Sequence, residues 1–268
     1  MTEKTVIIIP ARYASARFEG KPLALLTGAT GTTKSLIQRS WETACEVPDV
    51  DDIFVTTDDE RIAQAVQKFG GKVIMTSSNC RNGTERVAEA LEGLVGSADI
   101  VVNLQGDAPL TPPWFITALI DEMERDPDVQ MATPVLQCDG YTLNMFLEDR
   151  RNGRVGGTTA VFDLNWDALY FSKEVLPFTD KAYATDAKTP VYHHVGAYAY
   201  RPKTLARYVE WSQGALERFE GLEQLRFLEQ ATKVRCVLVE GKGRVFWELN
   251  NPVDVARIEG VLLQNGWP

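Results

Sequence analysis

The run Thr5-Val-Ile-Ile-Ile9, closed by Pro10, constrains this chain more than any other feature. Consecutive β-branched residues favour extended backbone. An apolar run without alternation must bury both faces of its strand, which calls for a parallel sheet covered on both sides. The residues that follow repeat the alternation this requires. Leu36, Ile37, Ser40, Trp41 and Ala44 have helical spacing over Leu36–Cys45, and Asp52–Thr56 reads as a second strand. Asp58 stands at the N-cap of a helix over Glu60–Phe69, which Gly70-Gly71 ends. Lys72–Met75 is a third strand, Thr84–Val95 a third helix, Ile100–Leu104 a fourth strand and Pro112–Arg125 a fourth helix. This order predicts an α/β fold, a mostly parallel twisted sheet with helices on both faces. Such sheets bind ligands outside the carboxyl ends of their strands.

The second half changes character. Val129–Val135, Thr158–Phe162, Ala168–Phe171 and Gly196–Tyr200 read as strands without helices between them, a small mixed-sheet extension. Helices over Pro202–Val209 and Ala215–Ala231, a strand over Val234–Val239 and a helix over Val253–Asn265 complete the chain. With no repeat or flexible linker, the expectation is a single domain, 1–268, whose extension covers roughly 129–200.

Composition removes whole classes of function. Four cysteines (Cys45, Cys80, Cys138, Cys236) lie far apart with no C-x-x-C pair, which argues against a structural zinc site and a secreted disulfide framework. The only histidines are His193 and His194, too few for a His-rich metal site. Lys+Arg is 28 against Asp+Glu 37, a net −9, so neither nucleic acid nor an anionic membrane is the expected partner. The apolar run at the N-terminus is too short for a signal peptide, and no stretch approaches the ~20 residues of a membrane span. The expected compartment is the cytoplasm.

Two loops at strand ends could carry chemistry. Pro10-Ala-Arg-Tyr-Ala-Ser-Ala-Arg-Phe-Glu-Gly-Lys-Pro22 follows the buried strand and brings Arg12, Arg17 and Lys21 together with small residues. Such a loop is either a polyphosphate site, built from backbone N–H groups and cations, or a solvated basic turn. Asn103-Leu-Gln-Gly-Asp-Ala-Pro109 ends the fourth strand. Its Asp107 is either a turn aspartate or a ligand for Mg²⁺ that bridges phosphate oxygens. Gly28-Ala-Thr-Gly-Thr-Thr-Lys-Ser35 nearly matches a P-loop, but Thr33 stands where the second glycine belongs and the sequence before it does not make a convincing strand. A loop leading into the Leu36 helix fits better.

Taken together the motifs become specific. Ile8-Ile-Pro-Ala-Arg-Tyr-Ala-Ser-Ala-Arg and Gly20-Lys-Pro-Leu resemble the opening of the 3-deoxy-manno-octulosonate cytidylyltransferases, the CMP-Kdo synthetases. Thr57-Asp-Asp-Glu-Arg-Ile62, Asn82-Gly-Thr-Glu-Arg86, Val102-Asn-Leu-Gln-Gly-Asp-Ala-Pro109, Ala168-Leu-Tyr-Phe-Ser172, His194-Val-Gly-Ala-Tyr198 and Leu222-Glu-Gln-Leu-Arg226 follow in family order over nearly the whole chain. The resemblance implies a Rossmann-related nucleotidyltransferase fold and a homodimer. It also implies a reaction that couples CTP to a 3-deoxy-2-ulosonic acid, giving pyrophosphate and a CMP-sugar of the kind used for lipopolysaccharide. Carried over by motif, Arg12, Ser15 and Lys21 would contact the triphosphate. Asn82, Gly83, Arg86 and Gln105 would border the cytidine, and Asp107 would hold Mg²⁺. His194, Tyr198, Glu223 and Gln224 would face the sugar. On sequence spacing Glu220, Glu223 and Gln224 would share one helix face.

Three positions depart from the family pattern. Lys173 follows Tyr-Phe-Ser where the family commonly has Arg, and it would meet the sugar's carboxylate without a two-pronged grip. Thr159 stands where the family usually has Lys. Asn250, in Glu248-Leu-Asn-Asn-Pro252, replaces a second metal-binding Asp and would offer the metal only a carbonyl oxygen.

Overall fold

The computed structural model describes residues 3–15, 18–94, 96, 98–155, 157–244, 248–249 and 251–268. In chain order its elements are β1 (Thr5–Pro10), β2 (Leu25–Thr27), β3 (Thr33–Ser35), α1 (Leu36–Cys45), β4 (Asp52–Thr57), α2 (Glu60–Lys68) and β5 (Lys72–Met75). Then come α3 (Gly83–Glu92), β6 (Ile100–Leu104), α4 (Pro113–Arg125), β7 (Met131–Asp139), α5 (Gly140–Arg151), β8 (Thr158–Phe162) and β9 (Ala168–Ser172). The last are β10 (Lys188–His194), β11 (Ala197–Tyr200), α6 (Pro202–Glu210), α7 (Ala215–Glu220), α8 (Leu225–Glu229), β12 (Arg235–Val239) and α9 (Asp254–Gln264). They form two compact units, one of residues 1–120 with 241–268, the other of residues 121–240.

The first unit has the expected parallel sheet, in the order β5-β4-β1-β6. Every residue of β1 is buried, and its backbone pairs on both edges, Ile8 lying opposite Phe54 on one side and Asn103 on the other. Parallel pairing sends the loops after β1, β4, β5 and β6 out along the same sheet edge. Leu26, Leu36 and Leu110 pack with Leu249, Ile258, Val261 and Leu262, so α9 closes the core of this unit from far along the chain. The near-P-loop is a β-hairpin: β2 pairs antiparallel with β3, Lys34 pairs with Glu42, and Ser35 caps α1 by accepting from Gln38 N at 3.3 Å.

The second unit is a mixed sheet around β7. β12 runs parallel to β7, while β10 and β11 run antiparallel to it. β8 and β9 extend the sheet beyond β10, both antiparallel.

Several local expectations need correction. The N-cap of α2 is Asp59, which accepts from Arg61 N at 2.9 Å, and not Asp58. The second half does hold a helix between its strands: Asp139 caps α5, accepting from Thr142 N at 2.8 Å. Only Gly140, Leu143 and Phe146 of α5 are buried, so its apolar stripe is too narrow to announce itself. β10 also went unrecognised. It carries Pro190, whose missing N–H coincides with the register shift between Lys188 and Tyr192. The single helix expected over Ala215–Ala231 is two, because Gly221 takes the left-handed conformation (φ 63°) and its N–H bonds back to Glu217 O. Glu220, Glu223 and Gln224 therefore do not share one helix face.

Candidate active site

The loop after β1 is closed on itself. Gly20 N donates to Tyr13 O at 2.9 Å, and Gly20 has φ 68° with the Tyr13 ring 3.1 Å from where a Cβ would stand. A side chain at position 20 would therefore meet both backbone strain and an aromatic wall. Arg61 lies over the other part of that wall, its guanidinium carbon 3.3 Å from the Tyr13 ring centroid. The closure starts the short turn Lys21–Leu23 and aims Lys21 at the end of β6, where Nζ sits 2.7 Å from Asp107 Oδ2. Asp107 is fixed from behind by its own carbonyl, which accepts from Leu249 N at 2.8 Å. Its second carboxylate oxygen makes no hydrogen bond among the described residues. Arg12 is exposed and Ser15 half-buried on the same loop, while Arg17 lies outside the described residues.

The next loop brings the third strand end in. Asn82 caps α3, accepting from Glu85 N at 2.8 Å, and Gly83 passes so close to Gln105 that a Cβ would stand 2.9 Å from its Nε2. Gly106 is equally confined, with Pro10 O 2.9 Å from the Cβ position. Arg86 is 3% exposed, bonds Thr76 Oγ1 at 2.7 Å and pairs with Asp58 at 3.3 Å. It is a fixed wall that ties the ends of β4 and β5. Asp58 and Thr76 thus belong to this region although sequence reasoning gave them no part in it. The signal for Asp58 was the doubled acid Asp58-Asp59, of which one suffices as cap.

The sugar-facing candidates lie in the second unit. His194 is buried and its Nε2 is 2.9 Å from Thr133 Oγ1. Burial, and secondarily the neighbouring His193, pulls its pKa down to about 3, so the ring is neutral. Tyr198 donates to Gln224 Oε1 at 3.2 Å, while Gln224 Nε2, buried with its residue, has no partner among the described residues. Tyr208 donates to the Glu223 carbonyl at 3.3 Å. Tyr208 in turn lies under the guanidinium of Arg226, which is held by both oxygens of buried Glu217, each at 2.7 Å. Lys173 stands in the turn after β9, with Thr159 packed beneath that turn. Asn250 lies outside the described residues.

The fold and this arrangement define a nucleotide-handling α/β enzyme, and comparison with known proteins narrows it. A cytidylyltransferase family model matches residues 6–234. The chain is 45% identical to the 3-deoxy-manno-octulosonate cytidylyltransferase of Maricaulis maris, over 97% of each chain. It is 41% identical to that of Desulfatibacillum aliphaticivorans, covering 97% of this chain and 98% of the relative. A solved structure of CMP:2-keto-3-deoxy-manno-octonic acid synthetase complexed with CTP superposes with TM-score 0.82 at 33% identity, over 98% of this chain and 99% of that one. The fold is shared more widely: 4-diphosphocytidyl-2C-methyl-D-erythritol synthase from Anaerococcus prevotii reaches TM-score 0.59 at 14% identity. The chain belongs to the cytidylyltransferase family, and within it to the 3-deoxy-manno-octulosonate cytidylyltransferases.

Proposed function

We propose that this protein transfers the cytidylyl group of CTP to 3-deoxy-manno-octulosonic acid or a close 3-deoxy-2-ulosonic acid. The Lys21–Asp107 pair, set by two strand-end loops, carries the reading. In this reaction the sugar's anomeric oxygen forms a bond to the α-phosphorus, the bond from that phosphorus to the bridging oxygen breaks, and pyrophosphate leaves. Charge grows on the bridging oxygen and the leaving group, so fixed cations lower the barrier. Arg12 and Lys21 provide them, with Ser15 and the loop backbone around the triphosphate. Gly83 and Gln105 leave a narrow slot for the cytosine, walled by Arg86, and Asn82 holds the slot's helix.

The donor set suits a divalent cation such as Mg²⁺. Among the described residues no three His, Cys, Asp or Glu converge to form a protein-only cage. Mg²⁺ is commonly held by one or two carboxylates together with substrate phosphates, and Asp107 has an oxygen available for that role. Such a cation would neutralise triphosphate oxygens. Asn250 would be its other neighbour, contributing a neutral oxygen. In the second unit, Lys173 would meet the sugar's carboxylate, and Tyr198, Glu223 and Gln224 its hydroxyls. His194, neutral and bonded to Thr133, would back them. The extension, roughly 129–200, lies within that unit, and we assign it to sugar binding and to a homodimer contact. No helix among the described residues is long and apolar enough to cross a membrane. We place the enzyme in the cytoplasm, with neither nucleic acid nor membrane as a partner.

The test is pyrophosphate release with a panel of nucleotides and sugar acids. Release is expected with CTP, the sugar acid and Mg²⁺ together, and should stop on adding EDTA. Equal turnover with ATP, or full activity in EDTA, would refute the assignment.

A further inference from the structure

Lys173 neighbours the carboxylates of Glu220 and Glu174, and among the described residues its ammonium pairs with neither. Both oxygens of Glu220 are engaged by the turn that carries it: Oε1 accepts from Ser172 Oγ at 2.7 Å and Tyr170 OH at 3.4 Å, and Oε2 accepts from Lys173 N at 2.9 Å. The carboxylate of Glu174 is taken by Arg150. From the other side, buried Thr159 donates to Glu174 O at 2.7 Å and accepts from Leu176 N at 3.2 Å. Ser172 Oγ accepts from Glu174 N at 3.0 Å and completes the knot. The Lys173 and Glu174 amides, the Glu174 carbonyl and the Leu176 amide are thereby fixed, while Lys173 Nζ has no hydrogen-bond or ion-pair partner among the described residues. The ammonium reaches over Gly221, 3.1 Å from where a Cβ would stand, and that glycine has φ 63°.

We propose that Thr159 and Glu220 are positioning residues that clamp the 172–176 turn so that Lys173 presents an unpaired ammonium to the substrate's carboxylate. The inference rests on the reading that the second unit binds the sugar acid. An ammonium lacks the built-in fork of a guanidinium and has a flexible stem, so its direction must come from what holds its backbone. Here the backbone amide of Lys173 is held by a carboxylate and the next carbonyl by a hydroxyl. Gly221 keeps the space over which the stem extends. Thr159 is the better half of the argument because it is 1% exposed and its hydroxyl has no other work than this turn.

The test separates charge recognition from general binding. At saturating CTP one measures KM for 3-deoxy-manno-octulosonic acid and the competitive inhibition constant of its uncharged methyl ester. The natural chain should prefer the acid, and Lys173→Ala should abolish that preference. Thr159→Val and Glu220→Gln should raise the acid's KM about tenfold, the scale of one hydrogen bond to a charged group, and leave the ester and CTP unaffected. Thr159→Ser, which keeps the hydroxyl, should behave as the natural chain. Ser172→Ala, a near-isosteric change that removes the hydroxyl linking Glu220 to the Glu174 amide, supplies the same readout should the Thr159 or Glu220 variants not fold; it too should erode the acid's preference. If Lys173→Ala leaves the preference intact, the sugar reading of this unit falls. If Lys173→Ala abolishes it and the folded clamp variants, or Ser172→Ala in their place, retain it, the clamp is overturned.

Discussion

Asp107 and Lys21 face each other at 2.7 Å with side chains 30% and 15% exposed. A pair so wetted contributes at most about 1 kcal/mol to folding. If the pair merely held two loops together, Asp107→Asn and Lys21→Met would be nearly silent. We expect instead that each lowers turnover by roughly a hundredfold or more, the usual consequence of removing one fixed charge from a phosphoryl-transfer transition state. The thermal midpoint should move by only a few degrees. Turnover and midpoint measured on the same preparations decide the matter, and near-normal turnover would place the pair outside the chemistry. His194 makes a prediction about pH. Its folded pKa is about 3 against an unfolded value near 6.5. The unfolded chain therefore takes up a proton that the folded ring refuses. Stability is fully present above pH 6.5 and declines as pH falls toward 3, by up to about 1.4 kcal/mol per pH unit. His194→Gln removes the titration while keeping a polar partner for Thr133. The natural chain's midpoint should fall more steeply than the variant's between about pH 7 and about pH 4. Parallel curves would show that the buried ring is not the source.

At the scale of elements, α3 shows how local structure shapes the slot we propose for the cytosine. Asn82 ends the loop and starts the helix, and Gly83 is its first residue, where a Cβ would press on the Gln105 amide at 2.9 Å. Gly83→Ala should push the Gln105 amide aside, since that amide is the flexible end of a half-buried side chain. We expect KM for CTP to rise several-fold with a stability change under about 1 kcal/mol. An unchanged KM would mean the slot does not receive the base. The same element explains why much of the first unit's fold was legible in sequence. Strand, loop, cap and helix follow one another within a few residues there, and each has its own signature. The second unit offered less. Its strands pair over long separations, as Arg235 with Ala132 does. α5 buries too little to show a stripe, and the clamp around Lys173 joins residues 159, 172–176 and 220, which no local pattern connects. Gly221 carried the signal for the break between α7 and α8, but a lone glycine inside a helical pattern is ordinarily tolerated.

For the whole molecule, the net charge of −9 disfavours polyanions across the surface at large and sets the cationic loop after β1 apart from it. Large apolar side chains nonetheless stand exposed on the second unit: Leu164 at 100%, Phe178 at 86% and Phe219 at 89%. Homodimer formation would give such residues cover. Sedimentation at micromolar concentration should therefore report twice the chain mass, and a species of one chain mass would remove the dimer from the account. A different consequence comes from the order in which the polypeptide is laid down. The first unit takes its residues from both ends of the chain, and its core joins Leu26, Leu36 and Leu110 to Ile258, Val261 and Leu262 of α9. Synthesis proceeds from the amino end, so residues 121–240 emerge before α9 does, and those three leucines await the helix that covers them. The core of the first unit is thus begun before residues 121–240 are made and completed only after them, so its closure waits on a helix more than a hundred residues downstream of the leucines it covers.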